Sequence, residues 1–227
     1  MKNHDQNLRT YYREQVIVFR KTKEAFGGLS NMAAGFPLLI NNICIKTSEA
    51  LYQACRFPHL PDVQRVIIQQ NSPMSAKMKG KPYRKETRAD WDDVRITIMR
   101  WCLRVKLAQN WKEFGQLLDL TGDLPIVEES KKDAFWGAKP INEEQLQGYN
   151  ILGRLLMELR EEYRGCNDND TYIVNPPGIG SFLLMNSQVQ PVAKPVTAPE
   201  SNASPNSDDS NNANNSGTQL SLFSEDD

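Results

Sequence analysis

Apolar side chains recur at helical spacing in two segments of this chain. Between residues 91 and 110 they recur every three or four positions, which places them on one face of a long α-helix that packs against the core. The same spacing over residues 150–163 predicts a last helix with an outward charged face. The stripe residues are Val94, Ile98, Trp101 and Val105 in the first helix, and Ile151, Leu155 and Leu159 in the second.

Short apolar runs near the amino terminus predict β-strands over residues 16–19 and 38–45. Asn41-Asn42 can bend the second run, because asparagine tolerates turn conformations. Further helices are expected from Thr47 or Ser48, either of which is a suitable N-cap, and after Pro61 and Pro73. Together these elements predict an α+β fold, a predominantly helical single domain with a small β-sheet.

Large apolar residues are almost absent from residues 188–218, which consist mainly of Asn, Ser, Pro and Ala. Such a composition cannot bury enough surface to offset the entropy of ordering, so a disordered linker is predicted there. The expected organisation is a folded domain over residues 1–165, an extension of undefined role over 166–187, the linker, and an acidic carboxyl terminus that contains residues 219–223.

The formal charge of −1 conceals an asymmetry along the chain. Residues 1–165 hold 26 basic and 20 acidic side chains, a charge of +6, whereas residues 166–227 hold one and eight, a charge of −7. A basic body suits a polyanionic partner such as nucleic acid or a pyrophosphate. Ordinary solubility charge on two differently composed segments is the alternative.

The four cysteines lack CxxC spacing and are accompanied by only two histidines, which argues against a structural zinc site. We therefore expect no metal and no cofactor. The amino terminus has no apolar core typical of a signal peptide, and no run approaches the ~18 apolar residues of a membrane span. A cytoplasmic protein without membrane contact is expected.

Several motifs occur in a characteristic order: GGLSNMA, TSEALYQA, NSPMSAKMKG, a tryptophan-led helix that ends RVKLAQN, TGDLPIVEES, KDAFWG and GYNILGRLLMELRE. In this order, over roughly residues 16–163, the chain resembles the NADAR family. The resemblance implies an N-glycosidase that cleaves a bond between a ribose carbon and nitrogen. Its substrates would be phosphorylated riboflavin-pathway intermediates or ADP-ribose attached to guanine. One departure is Ala50, where family members often have histidine.

Three residues are candidates for catalysis. Glu49 lies at a helix start, where the helix end and burial can tune a general acid or base; support of the first turn is the alternative. Lys106 lies beside the apolar stripe, so burial can lower its pKa, and it could form a Schiff base with the opened ribose; a surface lysine is the alternative. Asp133 is expected to hold ribose hydroxyls or to stabilise an oxocarbenium-like transition state. The same loop-rich segment also holds Asp123, Glu128 and Glu129.

Substrate contacts are expected from aromatic, amide and basic side chains. Trp136 and Trp91 can stack on a purine or pyrimidine, whereas Trp101 lies on the stripe and is expected in the core. Six basic side chains between residues 77 and 88 can hold phosphates, with a solvated charged loop as the alternative. The expected substrate-binding residues are Trp91, Trp136, Asn31, Asn150, Lys77, Arg84 and Arg88.

The carboxyl terminus contains the pentapeptide QLSLF at residues 219–223. It resembles the motif through which bacterial proteins bind the DNA polymerase sliding clamp, which implies partner contacts by Gln219, Leu220, Leu222 and Phe223. With the basic body, this motif favours modified DNA as the substrate. We interpret the chain as an N-glycosidase that removes ADP-ribose from guanine in DNA, and as the antitoxin to a DarT-like DNA ADP-ribosyltransferase. The alternatives are an N-glycosidase of phosphorylated riboflavin-pathway intermediates and a non-catalytic ADP-ribose-binding module.

Overall fold

Helices dominate the residues described by the structure, a computed structural model, which are 7–167 and 170–195. The helices are α1 (Ser48–Ala54), α2 (Pro61–Ile68), α3 (Pro73–Gly80), α4 (Trp91–Gln109), α5 (Trp111–Asp119) and α6 (Ile151–Arg164). The strands are β1 (Arg9–Tyr12), β2 (Ile17–Phe19), β3 (Leu38–Ile40), β4 (Ile43–Ile45), β5 (Ile126–Glu128), β6 (Lys139–Pro140), β7 (Gln145–Gly148), β8 (Ile173–Val174), β9 (Leu183–Leu184), β10 (Ser187–Gln188) and β11 (Val192–Ala193). The predicted α+β class is confirmed.

The strands form several small sheets instead of one. Strands β1, β7 and β6 make a three-stranded antiparallel sheet, and β2 pairs with β5 in parallel. Strands β3 and β4 form a hairpin whose two turn residues, Asn41 and Asn42, have φ angles of 50° and 62°. The bend expected at this asparagine pair is therefore a tight hairpin turn, which requires positive φ at both positions.

Helix α4 lies in the core and packs against α1, α5 and α6. Its stripe residues Ile98, Trp101 and Val105 are buried, and Val94 packs against them from a half-buried position. On α6, the predicted inward residues are likewise buried. Helical periodicity therefore identified the buried faces of both helices correctly. No helix in the described part of the chain is long and apolar enough to cross a membrane.

Residues 170–195, the C-terminal segment, pack on this core. The segment contains the strand pairs β8–β11 and β9–β10, and the ring of its Phe182 meets Trp101 edge-on at a centroid distance of 4.9 Å. Val189 and Val192 are buried. The packed body therefore extends past residue 188, where the composition predicted the start of a linker, because a few apolar side chains dock on distant elements. The rest of the predicted linker, 196–218, and the QLSLF motif lie outside the described residues.

Candidate active site

A cleft of about 750 Å³ opens beside α1, α3 and α4, between the loop that carries Asn31 and the loop that follows β5. Many of its lining side chains are charged or aromatic. Acidic groups come from Glu49, Glu128 and Asp133, basic groups from Arg56, Lys77, Arg84, Arg95 and Lys132, and aromatic rings from Tyr52, Trp91 and Trp136. The cleft thus combines carboxyl groups for proton transfer with cations for an anionic ligand.

Glu49 is held in a fixed orientation within the cleft wall. Thr47 caps helix α1 by accepting a hydrogen bond from the Ala50 amide, which sets the first turn on which Glu49 lies. Oε2 of Glu49 accepts from Nδ2 of Asn31 at 2.6 Å, and Oε1 accepts from Nε2 of Gln53 at 2.8 Å. The side chain is only 5% exposed, and this burial raises its pKa. Two amide donors nevertheless favour its charged form, because both donate to unprotonated oxygens.

Glu128 provides a second, half-buried carboxyl group of the cleft. Burial raises its pKa to about 7, and the negative charges of Asp133 and Glu49 contribute in the same direction. Its position is fixed by Asn150, whose Oδ1 accepts from the Glu128 amide at 3.1 Å and whose Nδ2 donates to the Ile126 carbonyl at 2.8 Å. Asn150 itself is fully buried and does not line the cleft. It therefore holds the Glu128 backbone from behind the cleft, whereas the sequence predicted a substrate-binding residue.

Asp133 lines the cleft and also organises its own loop. Its Oδ1 accepts from the amides of Phe135 and Trp136, each at 2.9 Å, and its amide donates to Oγ of Ser130. Carbonyls of the same loop accept from the first amides of α6, including Leu152 to Trp136 at 3.0 Å. The loop is therefore anchored on a helix N-terminus, whose free donors need such partners.

Aromatic rings support the cationic side of the cleft. Tyr52 lies between Trp91 and Trp136, at centroid distances of 5.1 and 5.8 Å. The guanidinium of Arg56 stacks over Trp91 at 4.4 Å, and that of Arg95 stacks over Phe135 at 4.0 Å. The predicted stacking residues Trp91 and Trp136 thus both reach the cleft, although Trp91 is only 7% exposed.

The structure brings neither Lys106 nor Arg88 to the cleft lining. Lys106 is fully buried behind the Asn31 loop, where its Nζ donates to the carbonyls of Gly28 at 2.6 Å and Ser30 at 3.3 Å. Its amine also lies over the rings of Phe36 and Phe114, and burial lowers its pKa well below the ordinary range. In this position it supports the loop and does not line the cleft.

Arg88 is also buried, and it joins two parts of the chain. Its guanidinium pairs with Asp90 and donates to the Gly180 carbonyl at 2.7 Å, while its amide donates to the carbonyl of Arg56. Of the three basic residues expected to bind substrate, only Lys77 and Arg84 line the cleft. Ala50 is fully buried and does not line the cleft.

Sequence reasoning passed over Glu128 in favour of Asp133, and it did not select Tyr52, Gln53, Arg56 or Arg95. A signal existed for Tyr52 and Gln53, which follow Glu49 by three and four positions and so share its helix face. No local pattern marks Arg56 and Arg95, because the rings on which they stack, Trp91 and Phe135, belong to other segments of the chain.

One cleft of this α+β domain gathers carboxyl groups, aromatic rings and cations, which is the lining of an enzyme-like site for an anionic ligand. The chain matches the NADAR domain over residues 18–164 and belongs to that family. It is similar to the N-glycosidase YbiA of Escherichia coli, with 34% identity over 160 residues that cover 69% of this chain and 94% of YbiA. The NMR structure of E. coli YbiA superposes with a TM-score of 0.56 at 32% identity, covering 67% of this chain and 90% of YbiA.

A riboflavin biosynthesis protein of Vibrio vulnificus is 34% identical over 158 residues. That match covers 69% of this chain but only 41% of the longer Vibrio protein. The relatives named N-glycosidase support the expectation of a hydrolase that acts on N-glycosyl bonds. The family expected from the ordered motifs is confirmed.

Proposed function

We propose that this protein is an N-glycosidase that removes ADP-ribose from guanine in DNA. The observation that carries the proposal is that two carboxyl groups with raised pKa, those of buried Glu49 and half-buried Glu128, line a cleft that also presents five basic side chains. Glycosyl transfer uses such a pair, and the cations suit the phosphates of the substrate.

Glu128 acts as the general acid. A carboxyl group with a pKa of about 7 is well matched to proton transfer near neutral pH. As the bond between the ribose C1′ and the exocyclic guanine nitrogen breaks, the bonding electron pair stays on nitrogen, which takes the proton of Glu128. Water then adds to C1′ and returns a proton to the Glu128 carboxylate. The products are unmodified guanine and free ADP-ribose.

Glu49 stabilises the positive charge that develops on the ribose ring. Burial raises the pKa of Glu49, but Asn31 and Gln53 donate to both of its oxygens, which favours the charged carboxylate and aims it before the substrate binds. The negative charge of Glu49 also raises the pKa of Glu128, so the two groups are assigned different tasks by their surroundings.

The rest of the cleft binds the nucleotide parts of the substrate. Trp136, with Tyr52 behind it, offers a ring for a purine, and Arg56 and Arg95 contact the diphosphate. Both arginines have a buried Nε atom without a hydrogen-bond partner within the described residues. A phosphate oxygen would provide that partner.

DNA is favoured as the carrier of the modified guanine by two properties of the sequence. Residues 1–165 carry a charge of +6, and QLSLF at the carboxyl terminus resembles a sliding-clamp-binding motif. A clamp contact through Leu222 and Phe223 would raise the local enzyme concentration at replicating DNA. Restoring guanine would also oppose a DarT-like ADP-ribosyltransferase, so we assign the protein as the antitoxin to such an enzyme.

The first test is incubation of the purified protein with a single-stranded oligonucleotide ADP-ribosylated on guanine, followed by mass spectrometry. A phosphorylated riboflavin-pathway intermediate and the Glu128→Gln variant are run in parallel. Unmodified guanine restored by the natural protein and not by the variant would support the proposal. Separately, replacement of Leu222 and Phe223 by alanine should abolish binding to a bacterial sliding clamp and spare turnover; unchanged clamp binding would remove the clamp from the proposal.

A second candidate function is hydrolysis of phosphorylated riboflavin-pathway intermediates. It is favoured by the names of two relatives, the riboflavin biosynthesis protein of V. vulnificus and the chloroplastic riboflavin biosynthesis protein PYRR of Zea mays. Cleavage of the metabolite alone in the same assay would assign this function. Tight binding of ADP-ribose without turnover of either substrate would instead indicate a non-catalytic binding module.

A further inference from the structure

A second groove, of about 520 Å³, lies next to the cleft on the outer side of α2 and α3. Its lining is largely apolar although it faces solvent. Val66, Met78 and Tyr83 line it and remain 38%, 51% and 38% exposed. Met74, on the same helix as Met78, is 57% exposed. Exposed apolar surface concentrated in one place is typical of an interaction site.

The groove and the cleft share one wall. Helix α3 and the 3₁₀ turn that follows it, Lys81–Glu86, direct alternate residues to the two sides. Lys77 and Arg84 line the cleft, whereas their chain neighbours Met78 and Tyr83 line the groove. A ligand that occupies the groove can therefore continue into the cleft across this wall.

The wall is strongly basic. Lys79 lines the groove, and Lys81 and Lys85 are exposed on the same turn, which has a single acid, Glu86. Within the described residues, these three lysines form no ion pair with a carboxylate. Their charges are available to an external anion.

We infer that this groove binds the single-stranded nucleic acid that flanks the modified nucleotide. Such strands are held by aromatic or apolar faces for the bases together with cations for the backbone, and the groove offers both. Tyr83 is braced from below, since its ring meets the buried ring of Phe57 edge-on at 6.5 Å. An acidic protein segment would use the lysines, whereas a partly exposed Tyr83 ring beside them suits a stacked base together with its phosphate. The inference rests on the proposed function for its choice of nucleic acid.

Binding of an unmodified strand tests the inference independently of turnover. The full chain is titrated against a fluorescein-labelled 12-nucleotide oligothymidylate at several salt concentrations, and anisotropy is measured. The groove variant Lys79→Ala/Lys81→Ala/Lys85→Ala should bind more weakly, with a slope of log affinity against log salt that is shallower by about 2, because each lost phosphate contact on single strands contributes about 0.7. Tyr83→Ala should weaken binding by about 5- to 150-fold through lost stacking.

The matched control variant is Lys23→Ala/Lys112→Ala/Lys139→Ala, which removes the same charge from three exposed lysines on other elements. Equal weakening by both triple variants would overturn the inference, since net charge alone would then explain binding. Unchanged affinity of the Tyr83→Ala variant would overturn it as well. Because Tyr83 touches the core, Met78→Glu serves as a second variant, and its exposed acid should repel the strand.

Turnover of two modified substrates separates this inference from the proposed function. If both hold, the groove variants raise KM for ADP-ribosylguanine placed within a 12-nucleotide strand of thymidines and leave KM for the modified mononucleotide unchanged. If neither substrate turns over but the groove variants still weaken binding of the unmodified strand, the proposed function fails and the binding surface stands. If the strand does not bind the natural protein, the inferred binding surface is wrong and the proposed function is unaffected.

Discussion

The side chain of Asn150 fixes the backbone of Glu128 across a gap of 22 residues in sequence. Its Oδ1 accepts from the Glu128 amide, and its Nδ2 donates to the carbonyl of Ile126. Asn150 adopts a left-handed conformation, with φ of 50°, at the start of α6. A Cβ at Gly153 would lie 2.0 Å from the Ile126 carbonyl oxygen, so α6 and β5 approach too closely there for any larger residue. One buried amide therefore connects the start of helix α6 to the strand end that carries Glu128.

We expect Asn150→Ala to lower both stability and turnover. The change leaves the Glu128 amide and the Ile126 carbonyl without their buried partner, which costs about 1–3 kcal/mol. The free energy of unfolding in urea and kcat are the measurements. Asn142→Ala is the matched control, since Asn142 accepts from two backbone amides in an exposed turn. An Asn150→Ala variant as stable and active as the control would contradict the positioning role.

The pKa of Glu128 predicts the pH dependence of the reaction. If its protonated form is the acid, kcat is highest below pH 7 and falls as pH rises through about 7, because the proton is lost. Glu128→Gln should lower kcat by about 10²- to 10⁴-fold and remove this alkaline limb from the residual rate. A pH series of single-turnover rates checks both statements. An alkaline limb that persists in the variant would assign the proton to another group.

Lys106→Met should leave the chemistry nearly unchanged. The amine lies behind the cleft wall, so we expect kcat of the folded variant to stay within about threefold of the natural value, unlike the loss caused by removing a nucleophile. Trapping with borohydride during turnover, followed by peptide mapping, should find no substrate on this lysine. A loss of more than about a hundredfold with an unchanged melting temperature would return Lys106 to a catalytic role.

The lowered pKa of buried Lys106 also predicts that the stability of the protein depends on pH. Its pKa in the folded protein is depressed by burial, so above that pKa and below its ordinary value of 10.5 the unfolded chain binds the extra proton. Stability therefore rises with pH across this window. Lys106→Met should flatten that rise relative to the natural protein, as measured by urea unfolding at several pH values. Parallel pH curves for the two proteins would contradict a depressed pKa.

Arg56→Lys and Arg95→Lys should each raise KM for phosphorylated substrates by about tenfold, since lysine lacks the planar fork that stacks on a ring and contacts phosphate bidentately. The kcat at saturation should change little. Arg65→Lys, on the exposed side of α2, is the matched control. Inhibition by free ADP-ribose measures the same contact without turnover, and equal inhibition of all three variants would argue against a diphosphate site.

Phe182→Ala tests whether the C-terminal segment belongs to the folding unit. Removal of a ring that packs on Trp101 should cost about 3 kcal/mol of unfolding free energy, with kcat retained in the folded protein. Ile173→Ala in the same segment is the control, because that side chain is 53% exposed and should change stability by less than about 0.5 kcal/mol. Equal stability of both variants would show that the segment packs without contributing to stability.

Local sequence patterns were sufficient to predict most helices and one of the two carboxyl groups to which catalysis is assigned, Glu49. Helix α4 was predicted within one residue of its observed bounds, because its stripe depends only on spacing along the chain. Glu49 was found from its place at a helix start, and it does line the cleft. Helix α5 was not predicted, although Trp111, Phe114 and Leu118 recur at helical spacing and are buried. The short strands of the C-terminal segment were not predicted either, since their apolar residues are few and dock on elements far away in sequence.

The sequence by itself determined the helical stripes, the α+β class and the family, all of which are properties of neighbouring residues or of motif order. Only the tertiary structure decided that Glu128 joins Glu49, that Asn150 positions it, and that Lys106 points behind the wall instead of into the cleft. A helical pattern specifies that a side chain is buried, but it does not specify what it is buried against. That choice depends on segments as distant as Gly28 and Lys106, which meet only when the whole domain folds.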